Sequence, residues 1–394
     1  MSAGRFSDFD HQCMARALEL ARRALYTTDP NPRVGCVLAH DGLIIAEGFH
    51  ARAGEPHAER NALATAGEHA RGATAYVTLE PCSHTGRTGP CADALIDAGV
   101  ARVVAAMQDP NPQVAGSGLQ RLRDAGIQVD TGLQEADARA LNPGFVLRMS
   151  QGRPLIRIKA AASLDGRTAM ASGESQWITG PEAREDVQRL RARSSAIVTG
   201  IGTVLADRPS YTVRPEQWRH GEYADGPVRA PLRVILDPAL RTPVDSPVVT
   251  ADGPCLIAHA DQPGAAPDDR RRALEHAGAE LLALPRARAA SDSAEPAATA
   301  RAEQRGLDLH AVIAELTRRE CNEVLVECGA TLAGAFVREA LFDELIVFRA
   351  PTLLGADARG LLDLPFERMD QQVRLQWRDL RRVGDDLRLT LAPV

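Results

Sequence analysis

The stretches Pro56-His57-Ala58-Glu59, Pro81-Cys82 and Pro90-Cys91 decide how the first part of the chain is read. One histidine and two cysteines supply the three protein ligands of a catalytic zinc, whose fourth position stays open for water. Neutral imidazole and two thiolates cancel the metal's double charge, yet the ion still lowers the pKa of its bound water enough to make a nucleophile. Glu59 is no ligand in this scheme. It takes the proton from that water and passes it to a departing amine, so the constellation is that of a hydrolytic zinc deaminase acting on an electrophilic ring carbon. A structural zinc site, or an unrelated histidine with two buried cysteines, is the competing reading; the first needs a fourth ligand and both leave Glu59 without a role.

Local patterning agrees. Pro56 and Pro90 each stand where a helix begins, predicting helices over 56–67 and 91–98 with His57 and Cys91 in their first turns. A thiol at a helix N-terminus is eased toward thiolate. Cys82 follows a strand predicted over 75–79, so all three ligands come from element ends that can meet around one ion. The two cysteines are separated by Ser83-His84-Thr85-Gly86-Arg87-Thr88-Gly89-Pro90, where the general deaminase pattern has only two residues. Recognition is expected in this loop: His84 and Arg87 suit an anionic group beside the metal. Upstream, Thr28-Asp29-Pro30-Asn31-Pro32-Arg33 leads into a hairpin with strands over 34–39 and 43–49, turned at Asp41-Gly42. Asn31 is a reader of a pyrimidine edge or, equally, a turn-capping asparagine.

Helical periodicity over 10–26 precedes the hairpin. A further helix over 118–125 and strands over 100–107 and 127–129 complete an α/β layered domain that ends near residue 142. Asn142-Pro143-Gly144 interrupts the pattern, residues 145–153 bridge to a strand over 155–161, and the boundary is placed close to Arg148, giving domains over 1–147 and 148–394. In the second domain a buried strand over 196–199 runs into Gly200-Ile201-Gly202-Thr203, and a strand over 323–326 runs into Gly329-Ala330-Thr331 before a helix over 332–340. Two glycine-containing strand-to-helix turns suit the phosphates of a dinucleotide. Neither is a full dinucleotide fingerprint, so ordinary tight turns remain the alternative. Over 262–306, alanine, arginine and acidic residues crowd without clear periodicity; a helix followed by a mobile surface loop with no catalytic part is expected there.

The chain resembles the bifunctional deaminase/reductase family of riboflavin biosynthesis. The likeness is carried by Pro30-Asn31-Pro32, His57-Ala58-Glu59, Thr78-Leu79-Glu80-Pro81-Cys82-Ser83-His84, Gly86-Arg87-Thr88 and Asp109-Pro110-Asn111-Pro112. In the second half it is carried by Ala162-Ser163-Leu164-Asp165-Gly166-Arg167, Gly173-Glu174-Ser175-Gln176-Trp177-Ile178-Thr179, Asp207-Arg208-Pro209, Glu327-Cys328-Gly329-Ala330-Thr331-Leu332-Ala333-Gly334 and Ala350-Pro351-Thr352-Leu353-Leu354-Gly355. It runs through nearly the whole chain in order.

The resemblance implies a cytidine-deaminase-like layered domain followed by a dihydrofolate-reductase-like domain that binds NADPH in an extended conformation. It implies cofactor contacts at Ala161, Trp177, Thr203, Asp207 and the turn Gly329, Ala330, Thr331, Leu332, Ala333, Gly334 and Ala335. Substrate contacts fall at Asn31, His50, His84 and Arg87 in the first half, and at Ser175, Arg191, Tyr211, Arg214 and Glu327 in the second. Tyr211 stands where the family pattern has an aliphatic residue. Arg191 and Arg214 suit a substrate phosphate and Glu327 sugar hydroxyls; of Arg189, Arg191 and Arg193, two are expected to be solvated surface charges. The implied chemistry has two steps on one phosphorylated pyrimidine. Water first replaces the 2-amino group of a 2,5-diamino-6-(phosphoribosylamino)pyrimidinone while Glu59 moves protons; the opened ribosylamine then accepts hydride from NADPH at C1′, with Asp207 and Lys159 as candidate acids. Lys159 also reads as a strand lysine paired with a carboxylate.

Composition fits this reading. A chain of 394 residues is too long for one ordinary core, so two domains are expected. A net charge of −6 argues against a nucleic-acid partner and hence against a tRNA or DNA deaminase. Seven cysteines, two of them committed to metal, do not form a disulfide framework; Cys13, Cys36, Cys255, Cys321 and Cys328 are small core hydrophobes. No apolar window reaches signal-peptide or membrane-spanning length, which predicts a cytoplasmic protein, and the family likeness implies a homo-oligomer. Two other classes stay in view: a nucleic-acid or free-nucleobase deaminase whose second half is only a scaffold, and a non-catalytic zinc-stapled binding module.

Overall fold

The computed structural model describes residues 5–83, 89–112, 114–214, 228–261, 268–287 and 306–394. The chain divides into two compact units: the described residues from 5 to 153 together with Val228 and Arg229 belong to the first, and the other described residues from Pro154 onward to the second. The helix Pro143–Gln151 runs through the region where the sequence reading placed a bridge and a boundary.

In the first unit a five-stranded sheet is built from β1 (Gly35–His40), β2 (Leu43–Phe49), β3 (Thr74–Val77), β4 (Arg102–Ala105) and β5 (Gln128–Thr131), in the order β2-β1-β3-β4-β5. β1 runs antiparallel to both β2 and β3, while β3, β4 and β5 are parallel. Two glycines let helices lie against β1 and β2. A Cβ on Gly35 would stand 2.0 Å from the Ala17 carbonyl oxygen of the helix Asp8–Arg22, and one on Gly48 2.4 Å from that of Ala58 in the helix Ala58–Ala66. Gly48 pairs with Cys36, the neighbour of Gly35, so the two helices cover opposite faces. Val37, Leu38, Val77, Val104, Met14 and Leu95 belong to the buried core between these layers.

The second unit holds a nine-stranded sheet. Its strands are β6 (Leu155–Ala162), β8 (Ala196–Gly200), β9 (Leu232–Leu236), β10 (Cys255–Ala260), β11 (Ala279–Leu284), β12 (Glu323–Val326), β13 (Glu344–Arg349), β15 (Leu375–Val383) and β16 (Asp386–Pro393); β7 (Arg167–Ala169) and β14 (Arg359–Gly360) pair separately. The order is β11-β10-β9-β8-β12-β6-β13-β16-β15. It is parallel from β11 to β13 and closed at one edge by the antiparallel hairpin of β15 and β16. Two separate buried clusters serve this sheet, one including Ile156, Val198 and Val326, the other Ile197, Leu325 and Ile346. Neighbours in sequence fall into different clusters, as a sheet covered on both faces requires.

The reading of 262–306 needs correction. The helix Asp268–His276 is followed by a strand, β11, which pairs with β10 from Ala279 opposite Cys255 to Leu284 opposite Ala260. As an edge strand it buries only Ala279 and Leu284 fully, so it carries neither the continuous apolar run of a central parallel strand nor a clean alternation. The rest of the expected loop, 288–305, lies outside the described residues.

Candidate functional site

Two sites emerge, one in each unit. In the first, His57 is the extended residue just before the helix Ala58–Ala66, and Cys91 is the first residue of the helix Cys91–Asp97. Each proline thus precedes its helix instead of opening it. Cys82 lies beyond the end of β3. The three ligand atoms lie within 4.8 Å of one another, with His57 Nδ1 3.7 Å from Cys82 Sγ and 3.3 Å from Cys91 Sγ. The Cys91 N–H donates to Cys82 Sγ at 3.3 Å. Hydrogen bonding from Cys91 and His57 draws the Cys82 thiol toward thiolate, and Cys91 is pushed up in response. One imidazole nitrogen and two sulfurs sharing a proton are a donor set that fits zinc with a coordination position to spare.

Glu59 is 3 % exposed beside these ligands. Burial raises its carboxyl to about 7 against the opposing hydrogen bond from its own backbone N–H, which suits a proton carrier near neutral pH. Asn31 Nδ2 lies 3.0 Å from His50 Nε2, and the His50 ring stands edge-on to that of His57 with centroids 5.1 Å apart. Burial pushes the His50 pKa down. His84 and Arg87 lie outside the described residues.

Glu80 had no role in the sequence reading. Its buried carboxylate accepts backbone N–H groups from Asp109 (3.0 Å), Gly116 (2.9 Å), Gly118 (2.9 Å) and Leu119 (3.3 Å), tying the 109–119 segment to the residue two before Cys82. The signal for it is a carboxylate at the end of an apolar strand run, where a charge is tolerated only if its acceptors are filled.

In the second unit a cavity of about 1010 Å³ opens along the carboxyl ends of β6, β8, β9 and β12, where ligands of open parallel sheets bind. Of the residues singled out from sequence, it is lined by Lys159, Ala161, Ser175, Thr203, Asp207, Tyr211, Glu327, Gly329, Ala330, Thr331, Leu332, Ala333 and Ala335. Gly334 is not in the lining; its Cα packs against Asp363, whose carbonyl oxygen a Cβ would meet at 2.2 Å. Trp177 is also outside the lining, exposed and beneath the Arg184 guanidinium at 4.7 Å. The Gly329 N–H donates to Thr203 Oγ1 at 3.1 Å, which joins the two glycine-containing turns.

At the bottom of the cavity Glu327 is held by a bidentate bond from Arg191, 2.6 and 2.9 Å, with Lys159 Nζ 4.0 Å away. Burial lowers the Lys159 pKa despite Glu327. Burial also works to raise the Glu327 carboxyl, but Arg191 and Lys159 outweigh it and hold it below the ordinary range. Tyr211 is buried; its hydroxyl donates to the Glu327 carbonyl oxygen at 2.9 Å and lies 3.0 Å from Thr199 Oγ1. Ser175 donates to Asp207 at 3.1 Å. Arg214 bonds Ser210 Oγ and is absent from the lining.

The expectation of two solvated arginines among Arg189, Arg191 and Arg193 is overturned. Only Arg189 makes a half-exposed surface pair, with Glu185, whereas Arg191 and Arg193 are ion-paired with the buried Glu327 and Glu323. A buried carboxylate demands a cationic partner, and the alternation along the helix Pro181–Arg193 did not reveal which arginines face the sheet.

Comparisons with known proteins match both halves. Residues 154–389 match the family described as the RibD C-terminal domain, and residues 7–107 the cytidine and deoxycytidylate deaminase zinc-binding region. The chain is similar to the riboflavin biosynthesis protein RibD of Escherichia coli (strain K12), 51% identical over 388 residues that cover 97% of this chain and 99% of the relative. It is 46% identical to that of Haemophilus influenzae over 98% of each chain. Among solved structures, Acinetobacter baumannii RibD superimposes with a TM-score of 0.84 at 44% identity, covering 98% of this chain and 99% of that one. The diaminohydroxyphosphoribosylaminopyrimidine deaminase/5-amino-6-(5-phosphoribosylamino)uracil reductase of Thermotoga maritima gives 0.79 at 30% identity with the same coverage.

Proposed function

Because the chain belongs to the bifunctional deaminase/reductase family of riboflavin biosynthesis, we propose that His57, Cys82, Cys91 and Glu59 are its deaminating centre, and that the cavity around Lys159 and Glu327 is its reducing centre. The protein is a zinc-dependent hydrolase and an NADPH-dependent oxidoreductase, with a cytidine-deaminase-like domain followed by a reductase domain. It deaminates 2,5-diamino-6-(5-phosphoribosylamino)pyrimidin-4(3H)-one to 5-amino-6-(5-phosphoribosylamino)uracil, and then reduces the ribosyl to the ribityl chain. The division of labour proposed for domains 1–147 and 148–394 follows the two units, with the helix Pro143–Gln151 going to the first.

His57, Cys82 and Cys91 hold the zinc, which when bound supplies a water acidic enough to be deprotonated near neutral pH. Glu59 takes that proton and returns it to the departing ammonia, and its burial, which works to push the carboxyl up, favours the protonated form needed midway. Asn31 and His50 orient the pyrimidine, and His84 and Arg87 hold its anionic group. In the second domain Thr203 and the Gly329 to Ala335 turn, with Gly334 serving only its packing on Asp363, bind the NADPH phosphates, and Ala161 and Asp207 lie toward the nicotinamide. NADPH supplies the hydride. Lys159, whose charge burial makes costly, gives its proton to the opened sugar amine, while Asp207 holds Ser175 in place. Glu327 and Tyr211 form the floor beneath the sugar and Arg191 fixes Glu327, while Arg214, outside the cavity lining, is assigned to the substrate phosphate on the family likeness alone.

No helix among the described residues is long and apolar enough to cross a membrane, and a cytoplasmic location is proposed on the small phosphorylated substrate and NADPH. A homo-oligomer is proposed from β15, the last strand of its sheet, which leaves Trp377 and Leu380 exposed.

The convergence of His57, Cys82 and Cys91 around a buried Glu59 carries the proposal. Mass spectrometry of products from the diaminopyrimidinone phosphoribosylamine tests it. Exchange of amine for oxo is expected without NADPH, and gain of two hydrogens when NADPH is added. If zinc is bound and neither change appears, the assignment of both sites fails.

A further inference from the structure

We propose that His50 is a positioning residue that turns the Asn31 amide, so that Asn31 presents its carbonyl oxygen, and not its NH2, to the pyrimidine. The proposal deepens the reading above and rests on Asn31 meeting the substrate. His50 is 2 % exposed, and both of its ring nitrogens have a partner. Nδ1 lies 3.1 Å from the Pro56 carbonyl oxygen, which can only accept, so Nδ1 carries the hydrogen. A neutral imidazole has one N–H, which leaves Nε2 a lone pair. The only group that can face a lone pair at 3.0 Å from the Asn31 side chain is an N–H, so the amide nitrogen is turned toward His50. Asn31 Oδ1 is then the free end, with no hydrogen-bond partner among the described residues.

The orientation is tied to the metal centre through the backbone. Pro56, whose carbonyl fixes the tautomer, directly precedes His57, and the ring of His50 packs edge-on against that of His57. One rigid chain therefore runs from Pro56 through His50 to Asn31, next to the residue that holds the ion. A fixed Oδ1 accepts from a ring edge that presents an N–H. A heterocycle with a carbonyl at that position meets lone pair against lone pair and is rejected, which is discrimination by an unsatisfied polar group and not by size. Without His50 the asparagine amide rotates freely and offers either end.

The direct test is the tautomer of His50 in the zinc-loaded, full-length protein. Long-range proton–nitrogen NMR with labelled histidine, assigned by the signal lost in His50→Gln, is expected to show Nδ1 protonated and Nε2 bare. A proton on Nε2 overturns the proposal whatever the variants do. Kinetics supply the second arm, with zinc content and the reductase rate on pre-formed aminouracil measured alongside. His50→Leu is expected to raise the deaminase KM about five- to tenfold, the effect of one lost hydrogen bond, with kcat changed less. His50→Gln, which restores an acceptor near Nε2, is expected to recover most of it. Equal loss in both variants overturns the proposal in favour of a space-filling role. If the tautomer is as stated but Asn31→Ala leaves KM unchanged, the substrate contact itself is wrong, and the proposal falls with it.

Discussion

Glu59 shows how far a spacing can be read at the scale of one residue. Its place two positions after His57 assigned it to proton transfer in the sequence. What the spacing could not show is the burial that lifts its carboxyl to about 7, because that depends on a sheet and two helices closing around it. Glu59→Gln keeps the shape and removes the proton carrier. It is expected to lower the deaminase rate about 10²–10⁴-fold while zinc content stays near wild type, measured by metal analysis on the same sample. Loss of metal would make Glu59 a ligand and sink the role given to it. The same variant should still oxidise NADPH with pre-formed aminouracil, since Lys159 and Glu327 lie in the other unit. Arg191 marks the limit of residue-level reading: it sits within Arg189-Leu190-Arg191-Ala192-Arg193, and nothing in that run says that one arginine is engaged in both directions by a buried glutamate.

At the scale of elements, the helix Asp8–Arg22 is fixed at its start by Ser7 and Asp10 in a reciprocal cap. Asp10 does more than cap: Tyr76 on β3 and Arg102 on β4 each bond its Oδ1 at 2.7 Å, so one carboxylate joins the helix to two strands. Burial works to raise its pKa, but the Ser7 N–H, Tyr76 and Arg102 together outweigh burial and hold it at about 2, below the ordinary 3.8. A depressed folded-state pKa stabilises the fold above the unfolded value, and that stability is lost as pH falls from about 4 through about 2. The loss amounts to about 2 kcal/mol. Urea midpoints across that window should fall less steeply with acid in Asp10→Asn than in the wild type; parallel curves would remove Asp10 from the account of acid sensitivity. The helix itself was legible because its apolar positions recur at helical spacing, and β1 to β3 because alternation and turn residues bound them. β11 was not, since an edge strand of a parallel sheet carries neither signature. The Glu80 clamp was hidden for another reason: its four partners are backbone groups, and sequence does not name backbone donors.

For the whole molecule, length alone implied more than one core, and the order of motifs implied that the halves carry different chemistry. The cavity at the carboxyl ends of the parallel strands is where that topology places ligands, so two weak glycine-containing turns became one binding surface once β8 and β12 proved adjacent. The opposite edge of the sheet poses a different question. β15 spans Leu375–Val383, ends the sheet and exposes most of its residues, including Trp377 at 62% and Leu380 at 59%. A long edge strand with exposed large apolar side chains invites a further strand, and soluble chains blunt or cover such edges. Its charges are Arg378, Asp379, Arg381 and Arg382, with Arg381 already held 3.5 Å from Asp379 within the strand, and the proposal is that the exposed Trp377 and Leu380 bring a second copy onto this edge. Light scattering at micromolar concentration is therefore expected to give at least twice the chain mass, and Trp377→Glu combined with Leu380→Glu to return it to one. Both activities should survive in that variant, because neither site draws on β15. A wild-type protein that stays at the mass of a single chain across this range would leave the edge uncovered in solution and end the case for self-association through β15.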